Sequence, residues 1–357
     1  SAKGFVKRMP MDEFEAQGRG TRGKAGMSNM RDGDAATCIF ACSTHDTVLC
    51  LSKRGIAYAL PAYRVPAASR TARGVVMHSL LPLDEEEAIA EVLPVAEFSE
   101  SHYLVLLTRH GYIKKTPLRA FANITARGLV AVSLGERDSL ARAASCTDAD
   151  SVILSTNLGQ ALRFATDSKQ LRASGRASRG VKSVALRAGD AIADMDIVRA
   201  AAVPDAPDEP DDSPAVAMRS SAMGDAGGGG MLLAVTRGGF GKRMRVGDFP
   251  PKGRGGKGNI AIKFKSSEDQ LLALSQARAS DQVLLVTQKG TIVRQSVAAI
   301  SEQGRTATGV QLQRLDEDDV VASVAIVPPF ECDLPPAKLH TVDVDGETPP
   351  AAKGDLP

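Results

Sequence analysis

The sequence predicts an all-β protein in which six similar repeats form a six-bladed, propeller-like disc. Three observations lead to this prediction. The 357 residues contain ten Phe, four Tyr and no Trp, so the core must rest on Val, Leu, Ile and Ala. A short apolar run that ends in glycine recurs along the chain, and a turn containing arginine and glycine follows each run at a nearly constant interval. Repetition at a fixed period is the signature of stacked or radial repeat architectures.

The apolar runs are each predicted to open a β-hairpin. They are short and continuous, as in strands that are buried on both faces, and the glycine that closes each one supplies the positive φ of a tight hairpin turn. Five such runs occupy residues 47–55, 103–111, 151–159, 231–239 and 282–290.

The turns that follow the hairpins define the repeats. They close at Gly23, Gly74, Gly128, Gly180, Gly258 and Gly309. The last five turn glycines lie 19, 17, 21, 19 and 19 residues after the hairpin glycines of the same repeats. Counting 19 residues back from Gly23 reaches Gly4, which is therefore the predicted hairpin glycine of the first repeat. The sequence therefore predicts six repeats, and the chain is expected to begin inside repeat one, after the first strand of that repeat.

Two segments interrupt or follow the periodic pattern. Successive turn glycines are 51, 54, 52, 78 and 51 residues apart, and the long interval contains a Pro-, Asp- and Gly-rich stretch. We expect a flexible acidic insertion at about 199–230 and a disordered acidic tail at 331–357, which leaves one repeat domain over 1–330.

Short repeats of this kind cannot bury a core alone and must pack against one another. A closed disc of six blades leaves only short, protected strand edges. A linear β-solenoid is the alternative arrangement that the repeats leave open.

The basic residues of the repeats predict a nucleic-acid-binding surface. In a radial arrangement, equivalent turns fall on one rim, so their charges form a continuous path for phosphate groups, which we call the basic belt. The belt is predicted to contain residues of the turns and their flanks, namely Gln17, Arg19, Arg22, Lys24, Arg70, Arg73, Arg127, Arg176, Arg179, Arg254, Lys257 and Arg305. It is also predicted to contain residues that follow the hairpin glycines, namely Lys7, Arg8, Lys114, Lys115, Arg163, Lys242, Arg243, Arg245 and Arg294. The alternative is that these are ordinary solvated loop charges.

No catalytic residue, cofactor or metal site is predicted within the chain. The five cysteines form no C-x-x-C pair, and the five histidines lack the spacing of metal ligands. Two turns, 18–23 and 253–258, match G-x-G-x-x-G, but they lie in β-repeats rather than between a strand and a helix, so we do not expect a dinucleotide site. The sequence also has no apolar stretch long enough to span a membrane, which predicts a soluble protein.

The turn at 17–23, Gln-Gly-Arg-Gly-Thr-Arg-Gly, resembles the box Gln-Arg-Arg-Gly-Gly-Lys-Gly of the DNA gyrase A family. Four residues are identical and Arg22 keeps the charge of the family lysine, whereas Gly18 and Thr21 depart from the box. The segments 4–14, 111–118 and 241–243 are similar to the same family, and the similarity spans roughly residues 4 to 328.

This resemblance implies a six-bladed β-pinwheel that wraps double-stranded DNA without sequence preference, so that a type IIA topoisomerase can introduce negative supercoils. The implied partners are DNA, the gyrase B protein and the N-terminal cleavage domain of the gyrase A protein, and ATP and Mg²⁺ are expected elsewhere in the holoenzyme. A bacterial protein of this kind is expected in the cytoplasm with the nucleoid, and an organellar one in plastids or the mitochondrial matrix. Two alternatives remain at this point: the equivalent domain of topoisomerase IV, which binds DNA without strong wrapping, and a propeller-like scaffold for protein partners.

Overall fold

The computed structural model describes residues 1, 3–10, 24–25, 34, 38, 40–69, 72–84, 87–200 and 230–327, with 24–25 described by their backbone alone. The predicted acidic tail at 331–357 and the box at 17–23 lie outside the described residues, as does most of the predicted acidic insertion.

The described residues contain 22 β-strands and five 3-10 helices of three or four residues. In chain order the strands are β1 (Phe5–Val6), β2 (Lys24–Ala25), β3 (Thr47–Ser52), β4 (Ile56–Pro61), β5 (Val75–Val76), β6 (Ile89–Val95), β7 (Tyr103–Thr108), β8 (Tyr112–Pro117), β9 (Leu129–Val130), β10 (Leu140–Cys146), β11 (Ser151–Thr156), β12 (Gln160–Ala165), β13 (Val181–Lys182), β14 (Ile192–Val198), β15 (Met231–Thr236), β16 (Phe240–Arg245), β17 (Asn259–Ile260), β18 (Leu271–Ala277), β19 (Gln282–Thr287), β20 (Thr291–Ser296), β21 (Val310–Gln311) and β22 (Val321–Val327). The 3-10 helices are Ala62–Arg64, Met77–Ser79, Leu118–Phe121, Val246–Asp248 and Val297–Ala299. Within the described part of the chain, no helix is long and apolar enough to cross a membrane.

The five predicted hairpins are confirmed as the antiparallel pairs β3–β4, β7–β8, β11–β12, β15–β16 and β19–β20. Their strands are buried on both faces: Val105 and Leu106 are neighbours in β7 and both are fully buried. The hairpin glycine is required at Gly55, where φ is +81° and an added Cβ would lie 2.8 Å from the Val132 carbonyl oxygen.

Each hairpin is completed into a four-stranded sheet by strands from two repeats. A seven-residue strand of the same repeat pairs on one side, and a two-residue strand of the next repeat pairs on the other. The sheets have the orders β6-β3-β4-β9, β10-β7-β8-β13, β14-β11-β12-β17, β18-β15-β16-β21 and β22-β19-β20-β2, and β1 and β5 form a two-stranded sheet.

The pairing of β2 with β20 joins the first repeat to the last. A closed ring requires such a contact, whereas a linear solenoid would leave the outer edge of β20 free. The all-β, propeller-like architecture is thus confirmed, with five four-stranded blades among the described residues. The sixth predicted blade is represented there by β1 and β5 alone, so the number six stays a prediction.

An aspartate in each of five repeats holds the hairpin turn. Its carboxylate accepts a hydrogen bond from the backbone N–H of the residue just before the hairpin glycine. The pairs are Asp34 with Lys3, Asp138 with His110, Asp190 with Leu158, Asp269 with Gly238, and Asp319 with Lys289. These bonds fix the hairpin turns of repeats one, three, four, five and six, and the sequence pattern alone did not single them out.

The core is a series of apolar clusters between neighbouring blades. Leu49 of one blade packs in the same cluster as Leu106 of the next, and Val105 packs with Val152 of the blade after that. A further cluster brings Met9 and Ala41 of the first repeat against the last repeat. The apolar contacts therefore continue around the ring.

Leu106→Ala should lower the free energy of unfolding by about 2–5 kcal/mol, because it opens a cavity in a fully buried contact between two blades. Chemical denaturation measures this loss. Leu158→Ala is the matched control, because Leu158 is 43% exposed and should change stability by less than about 0.5 kcal/mol. Equal losses for the two variants would mean that the blade contacts do not hold the ring together.

Candidate nucleic-acid interface

The fully described turns of the predicted basic belt, at 124–128, 175–180, 253–258 and 304–309, lie at the periphery of the ring. The long strands β6, β10, β14, β18 and β22 contact one another in succession and so surround the middle. The two-residue strands form the opposite edges of the blades, and each turn comes directly before one of them. This places the four described turns on a common rim.

The lysines that follow two hairpin glycines do not lie on this rim surface. Lys114 is 1% exposed and Lys242 is fully buried. Lys114 Nζ donates to the carbonyl oxygens of Gly175, Arg176 and Ser178 at 2.9, 2.5 and 3.1 Å. The prediction that these two lysines lie on the surface of the belt is wrong, because the turn of the next repeat folds over them.

The same bonding pattern occurs in a second turn, and two of its three contacts are described in a third. Lys242 Nζ donates to the carbonyl oxygens of Gly304, Arg305 and Ala307 at 2.7, 2.7 and 2.8 Å. Lys7 Nζ, which is partly buried, donates to those of Ser69 and Ala72 at 3.2 and 2.8 Å. We call the segments 175–180 and 304–309, together with the described residues 69 and 72–74 of the equivalent segment, the lysine-clamped turns.

Burial lowers the pKa of Lys114 and of Lys242 to about 8. Both side chains are therefore protonated below this pH, and their ammonium groups can donate to all three carbonyl oxygens. A buried ammonium group is tolerated because it is fully hydrogen-bonded.

The next residue of the hairpin strand is also turned inward. Lys115 is 1% exposed and bonds to the Asp148 carboxylate and the Thr166 carbonyl oxygen, and Arg294 is 6% exposed. The prediction that these two lie on the surface is also wrong, because both side chains are buried within the described structure. Arg8 Nε donates to the Val65 carbonyl oxygen at 3.1 Å, and Arg243 Nε donates to that of Ile300 at 2.6 Å. These side chains tie the hairpin to the chain that leads into the following turn.

Arg163 and Arg245 complete the residues predicted after the hairpin glycines. Arg163 is partly buried, and burial lowers its pKa. Arg245 is exposed, and its Nε donates to Glu302 Oε1 at 2.7 Å, so part of its charge is already paired.

The arginines of the turns are more accessible. Arg127, Arg179 and Lys257 are exposed, and Arg176 and Arg305 are partly exposed. The guanidinium groups of Arg73 and Arg179 lie over the rings of Phe5 and Tyr112, at 3.8 and 4.2 Å from the ring centroids. Stacking restricts these side chains without neutralising them.

Arg254 of the turn at 253–258 bonds to the chain on both sides of the turn at 175–180. Its Nε donates to the Gln170 carbonyl oxygen at 2.8 Å and its Nη1 donates to that of Lys182 at 3.1 Å. Beside it lies an open cavity of about 300 Å³ whose lining includes Lys114, Lys169, Arg172 and Arg254.

Sequence reasoning missed several basic residues near the turns. Lys169, Arg172, Lys182 and Lys252 are exposed, and the first three lie outside the recurring motifs that guided the prediction. Lys252 directly precedes the turn at 253–258, so its position alone was a sufficient signal. Of the predicted belt, Gln17, Arg19, Arg22 and Arg70 lie outside the described residues, and the side chain of Lys24 is not described.

The middle of the ring carries acidic side chains instead. Arg142 of β10 lies 3.8 Å from Glu91 of β6 and 3.0 Å from Asp194 of β14. Burial raises the pKa of Glu91 to about 7 and that of Asp196 to about 6. Among the described residues, no three His, Cys, Asp or Glu side chains form a group that could hold a metal ion. The basic groups of the rim are thus separated from the acidic groups of the inner strands.

Comparison with known proteins identifies similar chains. The sequence matches the profile of the family described as DNA gyrase C-terminal domain, beta-propeller, in six segments: 1–41, 46–96, 102–147, 150–199, 230–277 and 281–328. It is 46% identical over 336 residues to the DNA gyrase A protein of a Synechocystis species and 37% identical over 342 residues to the chloroplastic/mitochondrial DNA gyrase A protein of Nicotiana benthamiana. These alignments cover 92% and 93% of the chain but 38% and 35% of the two relatives, so the chain spans less than two fifths of their length.

Two solved structures share the fold. A DNA gyrase A C-terminal domain superposes with a TM-score of 0.74 at 24% identity, covering 91% of this chain and 96% of that one. A C-terminal domain of DNA topoisomerase IV superposes with a TM-score of 0.65 at 21% identity, covering 92% of this chain and 91% of that one. At these identities the superpositions establish the architecture.

Lys242→Met should loosen the turn at 304–309, because three carbonyl oxygens lose their donor. We expect the free energy of unfolding to fall by about 1–3 kcal/mol. We also expect the amide of Ala307, which donates to the Gly304 carbonyl oxygen at 3.1 Å, to exchange its hydrogen faster. Hydrogen exchange followed by mass spectrometry or NMR measures the second effect. Lys252→Met, which removes an exposed lysine, should leave the exchange rate of the Ala307 amide unchanged. If the exchange rate is unchanged in Lys242→Met as well, Lys242 does not hold the turn.

Proposed function

The chain belongs to the family of DNA gyrase C-terminal domains, and on that premise we propose that it binds double-stranded DNA along the basic belt and wraps it. The observation that carries the proposal is the recurrence of arginine-bearing turns at equivalent positions on the rim. A ring of phosphate contacts with few base-reading groups favours binding that is nearly independent of sequence.

The energetics of bending favour a long belt. Bending 20–30 base pairs through 40–90° costs roughly 1–6 kcal/mol, which many contacts to the DNA backbone must offset. The proposed contacts are the accessible residues of successive turns, with the predicted residues Gln17, Arg19, Arg22, Lys24 and Arg70 as further members. The buried Lys114, Lys115, Lys242 and Arg294 act in this proposal through the turns that they hold.

We further propose that β1 and β5 belong to a sixth blade. Six matched segments of the family profile support it, since the first of them covers residues 1–41. The pairing of β1 with β5 and of β2 with β20 follows the rule that each repeat supplies the outer strand of its neighbour.

The activity of the whole protein follows from the relatives and is also proposed. As part of a gyrase A protein, the domain would present wrapped DNA to the N-terminal cleavage domain, while the gyrase B protein supplies ATP hydrolysis and Mg²⁺ acts elsewhere in the holoenzyme. Wrapping of fixed hand would make each strand passage introduce negative supercoils. The compartment would be the bacterial cytoplasm, with the nucleoid, or an organelle, since relatives of both kinds are similar to the chain.

The test of wrapping is ligation of a nicked plasmid in the presence of the domain, followed by measurement of the trapped change in linking number at two salt concentrations. We expect a positive shift that weakens as salt rises. Binding without a shift would favour the topoisomerase IV-like function, and no binding at low salt would favour a scaffold for protein partners.

The proposed phosphate contacts are tested by removing accessible charges from three successive turns, in the variant Arg127→Gln, Arg179→Gln, Lys257→Gln. The slope of log K against log salt should become shallower by about 0.9 for each phosphate that the variant no longer neutralises. The control replaces by Gln three basic residues outside the turns of the belt: Arg54 and Lys289 of hairpin turns, and Arg119. Arg54 and Arg119 pair with Asp84 and Glu100. Equal effects in the two triple variants would indicate a general effect of net charge and would refute the belt.

A further inference from the structure

Two sets of side chains alternate around the ring. At the first and third positions after the hairpin glycine, repeats one, three and five carry an aromatic residue and a lysine. The pairs are Phe5 with Lys7, Tyr112 with Lys114, and Phe240 with Lys242. The other repeats carry neither an aromatic residue at the first position nor a lysine at the third; their pairs are Ile56 with Tyr58, Gln160 with Leu162, and Thr291 with Val293.

The turns alternate in step with the hairpins. Each clamping lysine bonds to the turn of the following repeat, so the clamped turns belong to repeats two, four and six. All three have Arg at the second position and Gly at the sixth: Ser-Arg-Thr-Ala-Arg-Gly, Gly-Arg-Ala-Ser-Arg-Gly and Gly-Arg-Thr-Ala-Thr-Gly. In the turn that ends at Gly258, the equivalent hairpin residue is Leu162, which offers no donor.

The clamp fixes which way the peptide groups face. In the turns at 175–180 and 304–309, the lysine ammonium group donates to the carbonyl oxygens of the first, second and fourth residues. The N–H of the fourth residue donates to the carbonyl oxygen of the first and closes the turn. A trans peptide group is planar, so its N–H points opposite to its C=O. The N–H groups of the second, third and fifth residues therefore point away from the lysine, towards the outside.

These outward N–H groups belong to Arg176, Ala177 and Arg179 in one turn, and to Arg305, Thr306 and Thr308 in another. Among the hydrogen bonds of the described residues, none of the six N–H groups donates to a protein acceptor. The third and fifth residues of both turns are exposed, and the second residues are partly exposed. Several N–H groups that converge on the outside of a turn form a site for an anion with more than one oxygen.

The charges around the turn favour the same ligand. The buried ammonium group lies on the inner side, and arginine side chains project from the turn itself. The guanidinium group of Arg179 lies 4.2 Å from the centroid of the Tyr112 ring, and that of Arg73 lies 3.8 Å from the centroid of the Phe5 ring. A phosphate diester would meet backbone donors that are already oriented, together with positive charge on both sides.

We propose that the turns at 175–180 and 304–309 are phosphate-binding sites in which backbone N–H groups, oriented by Lys114 and Lys242, bind the phosphate oxygens of the DNA backbone. The lysines are positioning residues: they bond to the inner side of the turn and do not touch the ligand. This inference rests on the proposed function, and it assigns the strongest backbone contacts to alternate blades.

The first experiment uses the whole chain labelled with ¹⁵N and titrated at low salt with a short blunt DNA duplex. We expect the amide signals of Arg176, Ala177, Arg179, Arg305, Thr306 and Thr308 to shift on binding and to gain protection from exchange. The amides of Ser178 and Ala307 are internal controls in the same turns, because each already donates within its turn, and they should shift less. If the duplex binds and the six amides do not respond, the inference is refuted while the proposed function stands. If the duplex does not bind at all, the proposed function itself fails.

The second experiment compares Lys114→Met, Lys242→Met with the charge-matched control Lys53→Met, Lys289→Met, whose lysines lie in hairpin turns. The clamp variant should bind about two fewer phosphates, which makes the slope of log K against log salt shallower by about 1.8. The control should keep the wild-type slope. Thermal unfolding shows whether the clamp variant is folded, and if it is not, the amide titration of the unaltered chain decides the question. A folded clamp variant with the slope of the control would overturn the proposal.

Discussion

The strand exchange between neighbouring repeats is the constraint on which the remaining structure depends. Every hairpin has one outer edge that only the next repeat can cover, and the last hairpin is covered by β2 of the first repeat. The close approach is visible at Gly180, where an added Cβ would lie 2.5 Å from the carbonyl oxygen of Ile113. Because the short strand is fixed against its neighbour, the turn directly before it is fixed as well. The position of the basic residues on the rim is thus a consequence of how the sheets are completed.

The basic residues divide into two groups with different roles. Arg127, Arg179 and Lys257 are accessible at the rim, whereas Lys114 and Lys242 are buried and hold backbone carbonyl oxygens. A buried lysine is costly unless each of its donors has a partner, and the turn of the next repeat provides three. The same bonds that satisfy the lysine determine how the turn faces solvent. Some basic residues of this domain therefore offer exposed charge at the rim, and others hold the turns by buried hydrogen bonds.

The fold was largely predictable because its signals are local and repeated. The apolar runs that end at Gly111 and Gly159 predicted hairpins with buried strands, and the structure has them at those positions. The direction of individual basic side chains was not predictable in the same way. Lys114 and Lys115 are neighbours in a strand, so their side chains point to opposite faces of the sheet, and both faces are covered. The face with Lys114 is covered by a turn some 60 residues further along the chain. The aspartates that hold the hairpin turns escaped for a similar reason, since Asp138 reaches His110 across a separation of 28 residues.

The alternation of two side-chain sets also bears on how the chain arose. A ring made by copying a single repeat six times would begin with equivalent hairpins and equivalent turns throughout. Here Lys7, Lys114 and Lys242 recur at every second repeat, each with an aromatic residue two positions before it. Tripling of an ancestral segment that contained two already diverged repeats leaves this pattern directly. Under that history the unit of duplication would be a pair of repeats, and the first and third repeats, like the second and fourth, would be more similar to each other than neighbouring repeats are.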